Sequence, residues 1–127
     1  MSNRSLHIGI IIFAWLLSLG VAQAHEDKQI EGHIRNISPE YGNLNTSFTQ
    51  ADLDALELKL TGRFLIKVDD QQVLITLGKQ YEDVAKGQWV GFIDWEGFLR
   101  IAILYGNAAE KLGVEPLSSL HLSRPKH

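Results

Sequence analysis

The sequence contains no cysteine and only three prolines. Without cysteine the chain has no disulfide, no thiolate metal ligand and no cysteine nucleophile. It also lacks a glycine-rich phosphate loop, a Gly-x-Ser-x-Gly nucleophile elbow, a His-Glu-x-x-His zinc motif and a calcium-binding loop. Each absence counts against the enzyme class that depends on that motif.

The N-terminus has the three parts of a secretory signal peptide. Arg4 supplies a positive charge, and an apolar run of 14 residues follows from Ile8 to Val21. Ala22-Gln23-Ala24 then places small residues where a signal peptidase cleaves. The run is too short for a membrane anchor, because a spanning helix needs about 20 apolar residues. We therefore expect cleavage of residues 1–24, leaving residues 25–127 as one periplasmic or secreted domain without a membrane anchor.

The charge balance limits the partners that the sequence predicts. Removal of Arg4 with the signal peptide leaves 11 Lys and Arg against 15 Asp and Glu, a net charge of −4. No basic stripe is visible along the sequence. Neither nucleic acid nor an anionic membrane surface is therefore expected as a partner.

Hydrophobic periodicity predicts a small, mostly β domain. Arg63–Val68 and Val73–Leu77 alternate apolar and polar residues around the polar loop Asp69–Gln72, which is typical of a hairpin. Six or seven short strands with one or two short helices favour a mostly antiparallel barrel or sandwich. The other predicted strands are Ile30–Ile37, Leu44–Phe48, Trp89–Trp95, Phe98–Leu104 and Leu120–Leu122, with helical turns after Thr49 and at Ala108–Leu112.

Two polar residues near the second predicted hairpin need explanation. Asp94 lies at the end of an apolar strand and is interpreted as a hairpin-end acid that accepts hydrogen bonds from turn N–H groups. Arg100 lies within an otherwise apolar strand, so it needs a partner or an exit to solvent.

Histidine offers one metal-binding hypothesis. After cleavage His25 becomes the N-terminal residue, and its amine and imidazole nitrogens together suit Cu(II), with His33 as a further nitrogen ligand. The alternative is that His25 is only the first residue after the cleavage point and His33 a strand-face residue. The sequence leaves a periplasmic copper-binding protein open as a function.

The aromatic residues are numerous for a small domain, and several lie beside turns. Loop aromatics can stack on a flat ring such as adenine, whereas core aromatics only pack. Both interpretations stay open for the set, which comprises Tyr41, Tyr81, Trp89, Phe92, Trp95, Phe98 and Tyr105.

Four short blocks occur in a fixed order: Tyr41-Gly42-Asn43-Leu44-Asn45-Thr46, Tyr81-Glu82-Asp83-Val84, Glu96-Gly97-Phe98-Leu99-Arg100-Ile101-Ala102 and Gly106-Asn107-Ala108-Ala109-Glu110-Lys111-Leu112-Gly113. In order and spacing they resemble the C-terminal domain of the S-adenosylmethionine hydroxide adenosyltransferases, relatives of the fluorinases and chlorinases. The resemblance covers nearly all of residues 25–127. It implies a small antiparallel β-barrel, in agreement with the strand count.

The resemblance also implies what the domain does. In that family an N-terminal domain holds the sulfonium substrate and the attacking ion, and the C-terminal barrel of a neighbouring subunit in a trimer closes over the adenine. This chain has no room for the first domain, so we expect a non-catalytic domain for ligand binding or assembly. Alternatives within the resemblance are a homo-trimer and an accessory subunit of an S-adenosylmethionine hydrolase.

The family's adenine contacts carry over to particular positions. The resemblance implies that Tyr41 packs near the base, that Asn43 bonds the base edge and that Tyr81 is a second aromatic contact. In the hairpin, Trp95 replaces a small hydroxyl residue, and its bulk is expected to fill space that the adenine would use. The expected ligand-binding face is Tyr41, Asn43, Tyr81, Asp94 and Trp95. No cofactor is certain; the expected partner is a small planar ligand such as adenosine or S-adenosylmethionine, or a protein.

Overall fold

A computed structural model describes residues 28–126. In this part of the chain seven strands close into a barrel in the order β1-β2-β6-β5-β4-β3-β7. Two short α-helices, α1 (Gln50–Ala55) and α2 (Ala108–Leu112), and a 3-10 turn (Tyr81–Asp83) complete it. The strands are β1 (Gln29–Ile37), β2 (Leu44–Thr49), β3 (Arg63–Val68), β4 (Gln71–Leu77), β5 (Trp89–Ile93), β6 (Phe98–Ile103) and β7 (Ser119–Ser123).

The mostly β class and the barrel are confirmed, with one exception to antiparallel pairing. β4 and β5 run parallel, joined at Thr76 with Val90 and at Leu77 with Gly91. The residues between them cross over instead of forming a hairpin, and a parallel pair requires such a crossover. The predicted signal peptide, residues 1–24, lies outside the described residues, and so does His25.

The β3–β4 hairpin is tighter than predicted. Val68 pairs with Gln71, so the turn contains only Asp69 and Asp70 and not the four residues 69–72. Asp69 has a φ of +51°, a value that a two-residue hairpin turn demands and that aspartate tolerates. The glutamines predicted to lie in the loop therefore belong to β4.

Alternation along the strands separates an inner from an outer face. Phe64, Ile66 and Val68 of β3 are buried in the main core, as the period-2 pattern predicts. Gly91 of β5 faces the same interior, where a Cβ would lie 2.6 Å from Cζ of Phe64. The absence of a side chain at this position lets the Phe64 ring fill the barrel.

A second, smaller apolar cluster lies on the outer face of β5 and β6. It contains Val90, Phe92 and Ala102, and the β4–β5 connection covers it with Tyr81 and Val84. The Tyr81 ring meets the Phe92 ring nearly edge-on, at 80° with 4.8 Å between centroids. This packing fixes the crossover connection on the barrel and holds Tyr81 in place.

No helix in residues 28–126 is both long enough and apolar enough to cross a bilayer.

Candidate functional site

A cleft of about 400 Å³ opens where the β1–β2 loop, the 3-10 turn and the end of β6 meet. Its volume lies in the range of small-molecule sites, about 300–1,000 Å³. Three residues of the expected ligand-binding face line this cleft together: Tyr41, Asn43 and Tyr81. The remaining residues of this aromatic cleft are Glu82, Ile103, Leu104, Tyr105 and Gly106.

The β1–β2 loop is held against the start of α2, and this contact places Tyr41 and Asn43. Gly42 has a φ of +70°, and its carbonyl accepts a hydrogen bond from the Ala109 N–H at 3.0 Å. Asn107 caps α2 by accepting from the Glu110 N–H at 2.9 Å. A Cβ on Gly42 would overlap the Asn107 carboxamide, so this close approach requires glycine.

The polar centre of the cleft is Asn43, which is only 7% exposed. Its Nδ2 donates to the Tyr81 hydroxyl at 2.8 Å. Arg100 Nη1 donates to the same hydroxyl at 3.3 Å. The bond to Tyr81 uses Nδ2, and no donor within residues 28–126 bonds Asn43 Oδ1, so this oxygen is available as a hydrogen-bond acceptor.

Arg100 links the cleft to the β5–β6 hairpin. Its Nε donates to Asn45 Oδ1 at 2.8 Å, and its Nη2 lies 3.4 Å from Asp94 Oδ2. The expectation that Arg100 needs a partner within its strand is therefore confirmed. Sequence reasoning did not select Arg100 as a site residue, although an arginine in an apolar strand was the available signal.

Asp94 has the structural role that its position predicts. Its Oδ1 accepts hydrogen bonds from the backbone N–H groups of Glu96, at 2.9 Å, and Phe98, at 3.2 Å. The residue is 8% exposed and touches the cleft only through Arg100. Asp94 therefore supports the cleft without lining it.

Trp95 lies at the tip of the β5–β6 hairpin and is 88% exposed. The cleft is at the opposite end of β6, and a strand of this length spans roughly 17 Å. The structure therefore does not bring Trp95 together with Tyr41 and Asn43. Trp95 is not among the residues that line this cleft, and the expectation that its indole fills the ligand space stays a prediction.

Tyr105 is a cleft residue that the sequence analysis placed only among the turn aromatics. Its side chain is 82% exposed, and its φ of +59° is unusual for a residue with a large side chain. The Lys86 ammonium lies 5.5 Å from the ring centroid. An exposed ring held in a strained backbone conformation is a feature that clusters at ligand sites.

Of the two histidines in the metal-binding hypothesis, the structure describes only His33. His33 is exposed on β1, opposite Ser119 of β7. Residues 28–126 contain no group of three or more His, Asp or Glu side chains placed to hold a metal ion. Copper binding through the N-terminal His25 stays a prediction.

Replacing Asp94 with asparagine is expected to lower the free energy of unfolding by about 1–2 kcal/mol. The change keeps an oxygen for the turn N–H groups but removes the buried charge that faces Arg100. The matched control is Glu57→Gln, which removes the charge of the exposed Glu57–Arg124 pair and should change stability by less than about 0.5 kcal/mol. Urea denaturation measures both; equal losses would contradict the assigned role of Asp94.

Comparison with known proteins gives one family and a fold. The model of the SAM hydroxide adenosyltransferase C-terminal domain family matches residues 32–121. An uncharacterized conserved protein from Thermotoga maritima has a similar fold, with a TM-score of 0.73 and 22% identity over 78% of this chain and 37% of that protein. A conserved hypothetical protein from Thermus thermophilus gives a TM-score of 0.53, with 22% identity over 72% of this chain and 34% of that protein. The chain thus spans about a third of the length of each. A search of curated proteins gave no match.

Proposed function

The chain belongs to the family of SAM hydroxide adenosyltransferase C-terminal domains, and from this membership we propose that it is an exported, non-catalytic domain that binds a small planar ligand of the nucleoside type. The observation that carries the proposal is the aromatic cleft, in which Asn43 is held by Tyr81 and shares the lining with the exposed rings of Tyr41 and Tyr105. The signal-peptide pattern of residues 1–24 supports a periplasmic or secreted location. Adenosine and S-adenosylmethionine are the ligands that the family description suggests.

Stacking supplies most of the binding free energy in this proposal. Tyr41 is 61% exposed and Tyr105 is 82% exposed, so their rings are accessible to a ligand. An aromatic ring stacked on a base contributes about 1–3 kcal/mol. Ile103 and Leu104 add apolar surface beside the rings.

Asn43 orients the ligand in the aromatic cleft. Its Oδ1 can accept a hydrogen bond from an amino group on the edge of the ligand, while Tyr81 fixes the plane of the amide. Tyr81 is itself fixed by Phe92 and Arg100. A site held in this way loses less conformational entropy when the ligand binds.

The composition of the cleft supports binding over catalysis. Among its lining residues Glu82 is the one carboxylate, and none is a histidine or a lysine. General acid–base chemistry uses a proton donor and acceptor within hydrogen-bond reach of the reacting group. We infer that the domain holds its ligand without transforming it.

Replacing Asn43 with alanine is expected to weaken adenosine binding about five- to tenfold, the effect of losing one buried hydrogen bond. The melting temperature should fall by no more than about 5 °C, because Arg100 still donates to the Tyr81 hydroxyl. Titration calorimetry on protein expressed from the full chain measures the affinity.

The matched control for this experiment is Gln50→Ala. Gln50 donates a hydrogen bond to Asp54 on the surface of α1, and neither residue belongs to the hydrogen-bond network around Asn43. Its loss should leave adenosine affinity unchanged. Equal affinity in the Asn43 variant and the wild type would reject this cleft as the site.

Assembly with other protein chains is a second candidate function, either with copies of itself in a homo-trimer or with the catalytic half of an S-adenosylmethionine hydrolase. The observation that favours it is Trp95, a large apolar side chain left 88% exposed at a hairpin tip. Light scattering during size-exclusion chromatography tests self-assembly. A trimer that Trp95→Ser dissociates would support this function, and a monomer at all concentrations would reject the homo-trimer.

A further inference from the structure

A second cleft, of about 320 Å³, lies between the α1–β3 connection and the residues that follow β7. Four of its lining residues are cationic, and one, Glu57, is anionic. The lining of this basic cleft carries a net charge of +3, whereas the whole chain has a net charge of −3. The four cationic residues are Lys59, Arg63, Arg124 and Lys126.

Three other clefts of the described residues do not concentrate positive charge. One is lined by Lys79 together with Asp83, and another by Lys111 together with Glu110. The aromatic cleft has a single charged residue, Glu82. The basic cleft is therefore a local feature of the charge distribution and not a general property of this surface.

The fold brings these cations together from distant parts of the sequence. β3 and β7 are antiparallel, with Leu65 opposite Ser123, so the start of β3 lies beside the residues after β7. The connection before β3 is fixed by two backbone hydrogen bonds, from Leu58 N–H to the Leu53 carbonyl and from Gly62 N–H to the Lys59 carbonyl. A fixed backbone positions the cationic side chains before any ligand arrives.

The charges in the cleft are largely uncompensated. Glu57 lies 3.1 Å from Arg124 Nη1, but the two side chains are 76% and 52% exposed. An exposed pair of this kind is weak, so a ligand anion can displace the Glu57 carboxylate from Arg124. Within residues 28–126, Lys59, Arg63 and Lys126 form no ion pair.

We propose that the basic cleft binds a multivalent oxyanion of the phosphate class, such as a phosphate ester. Two arginines offer planar donor groups that match phosphate oxygens, and two lysines add point charges. Four cationic side chains carry more positive charge than a ligand with a single carboxylate would neutralise. The cleft shares no lining residue with the aromatic cleft, so this inference goes beyond the proposed function and does not depend on it.

Titration of the full-chain protein with pyrophosphate tests the proposal. Saturable binding is expected, weaker at 200 mM than at 50 mM salt because the cleft is open to screening. Arg63→Gln and Arg124→Gln should each weaken binding about fivefold, the effect of one charge at close range in water. Glu57→Gln should strengthen binding about twofold or more, because it removes the competing carboxylate. Circular dichroism checks that each variant folds.

The matched control is Lys79→Gln, which removes one positive charge from a different cleft and should leave the affinity unchanged. A second arm uses vesicles of phosphatidylglycerol, which present the same phosphate chemistry as a lipid headgroup. Binding to vesicles alone, lost in Arg63→Gln, would support the site with a lipid as the source of phosphate. No binding to either probe, or equal losses in Arg63→Gln and Lys79→Gln, would overturn the proposal.

Discussion

Replacing Gly42 with alanine is expected to lower the free energy of unfolding by about 3 kcal/mol and to abolish ligand binding at the aromatic cleft. Two effects add at this position. A side chain is disfavoured at a φ of +70°, and the new Cβ would overlap the Asn107 carboxamide. Moving Asn107 removes the cap of α2, and moving the loop displaces Tyr41 and Asn43. Thermal and urea denaturation measure the first effect, and adenosine titration the second.

Gly87→Ala is the matched control for this prediction. Gly87 has a φ of +86°, but a Cβ there would meet nothing within 4 Å. This variant should therefore show only the backbone penalty, about 1 kcal/mol, with unchanged adenosine binding. Equal destabilisation in the two variants would show that the contact between Gly42 and Asn107 does not hold the loop.

Replacing Tyr105 with glycine is expected to weaken ligand binding and at the same time to raise the stability of the fold. The affinity for adenosine should fall about 10- to 100-fold, because one stacking surface is lost. The free energy of unfolding should rise by about 0.5–1 kcal/mol, since glycine accepts the φ of +59° without strain but gains more entropy on unfolding. A residue that is 82% exposed has little packing to lose. Adenosine titration and urea denaturation of the same variant measure both changes.

The control is Leu117→Gly. Leu117 has a φ of +71° and is 76% exposed, but it does not line the aromatic cleft. It should show a similar gain in stability with no change in affinity. A Tyr105 variant that binds adenosine as tightly as the wild type would remove Tyr105 from the site.

The sequence predicted the features that depend on neighbouring residues. The alternation in Arg63–Val68 placed Phe64 and Ile66 inside, and this is where they pack. The position of Asp94 at the end of an apolar strand predicted its hydrogen bonds to the hairpin turn. Such features follow from local periodicity and turn chemistry, which a single sequence contains.

Features that arise when distant segments meet could not be read in the same way. The hydrogen bond between Asn43 and Tyr81 joins residues 38 positions apart. Only the resemblance placed these two residues in one site. It also placed Trp95 there, but Trp95 does not line the aromatic cleft. The basic cleft could not be predicted from the sequence because Arg63 and Arg124 lie far apart along an acidic chain. The parallel pairing of β4 and β5 was missed because it depends on the path of the crossover.

Mapping adenosine onto the protein by ¹H–¹⁵N correlation spectroscopy tests the central claim most directly. We expect saturable shifts of the backbone amide resonances of Tyr41, Asn43, Tyr81 and Tyr105. The amide resonances of the hairpin tip around Trp95 should not shift. Absence of saturable shifts at millimolar adenosine, or shifts confined to residues outside the aromatic cleft, would contradict the account.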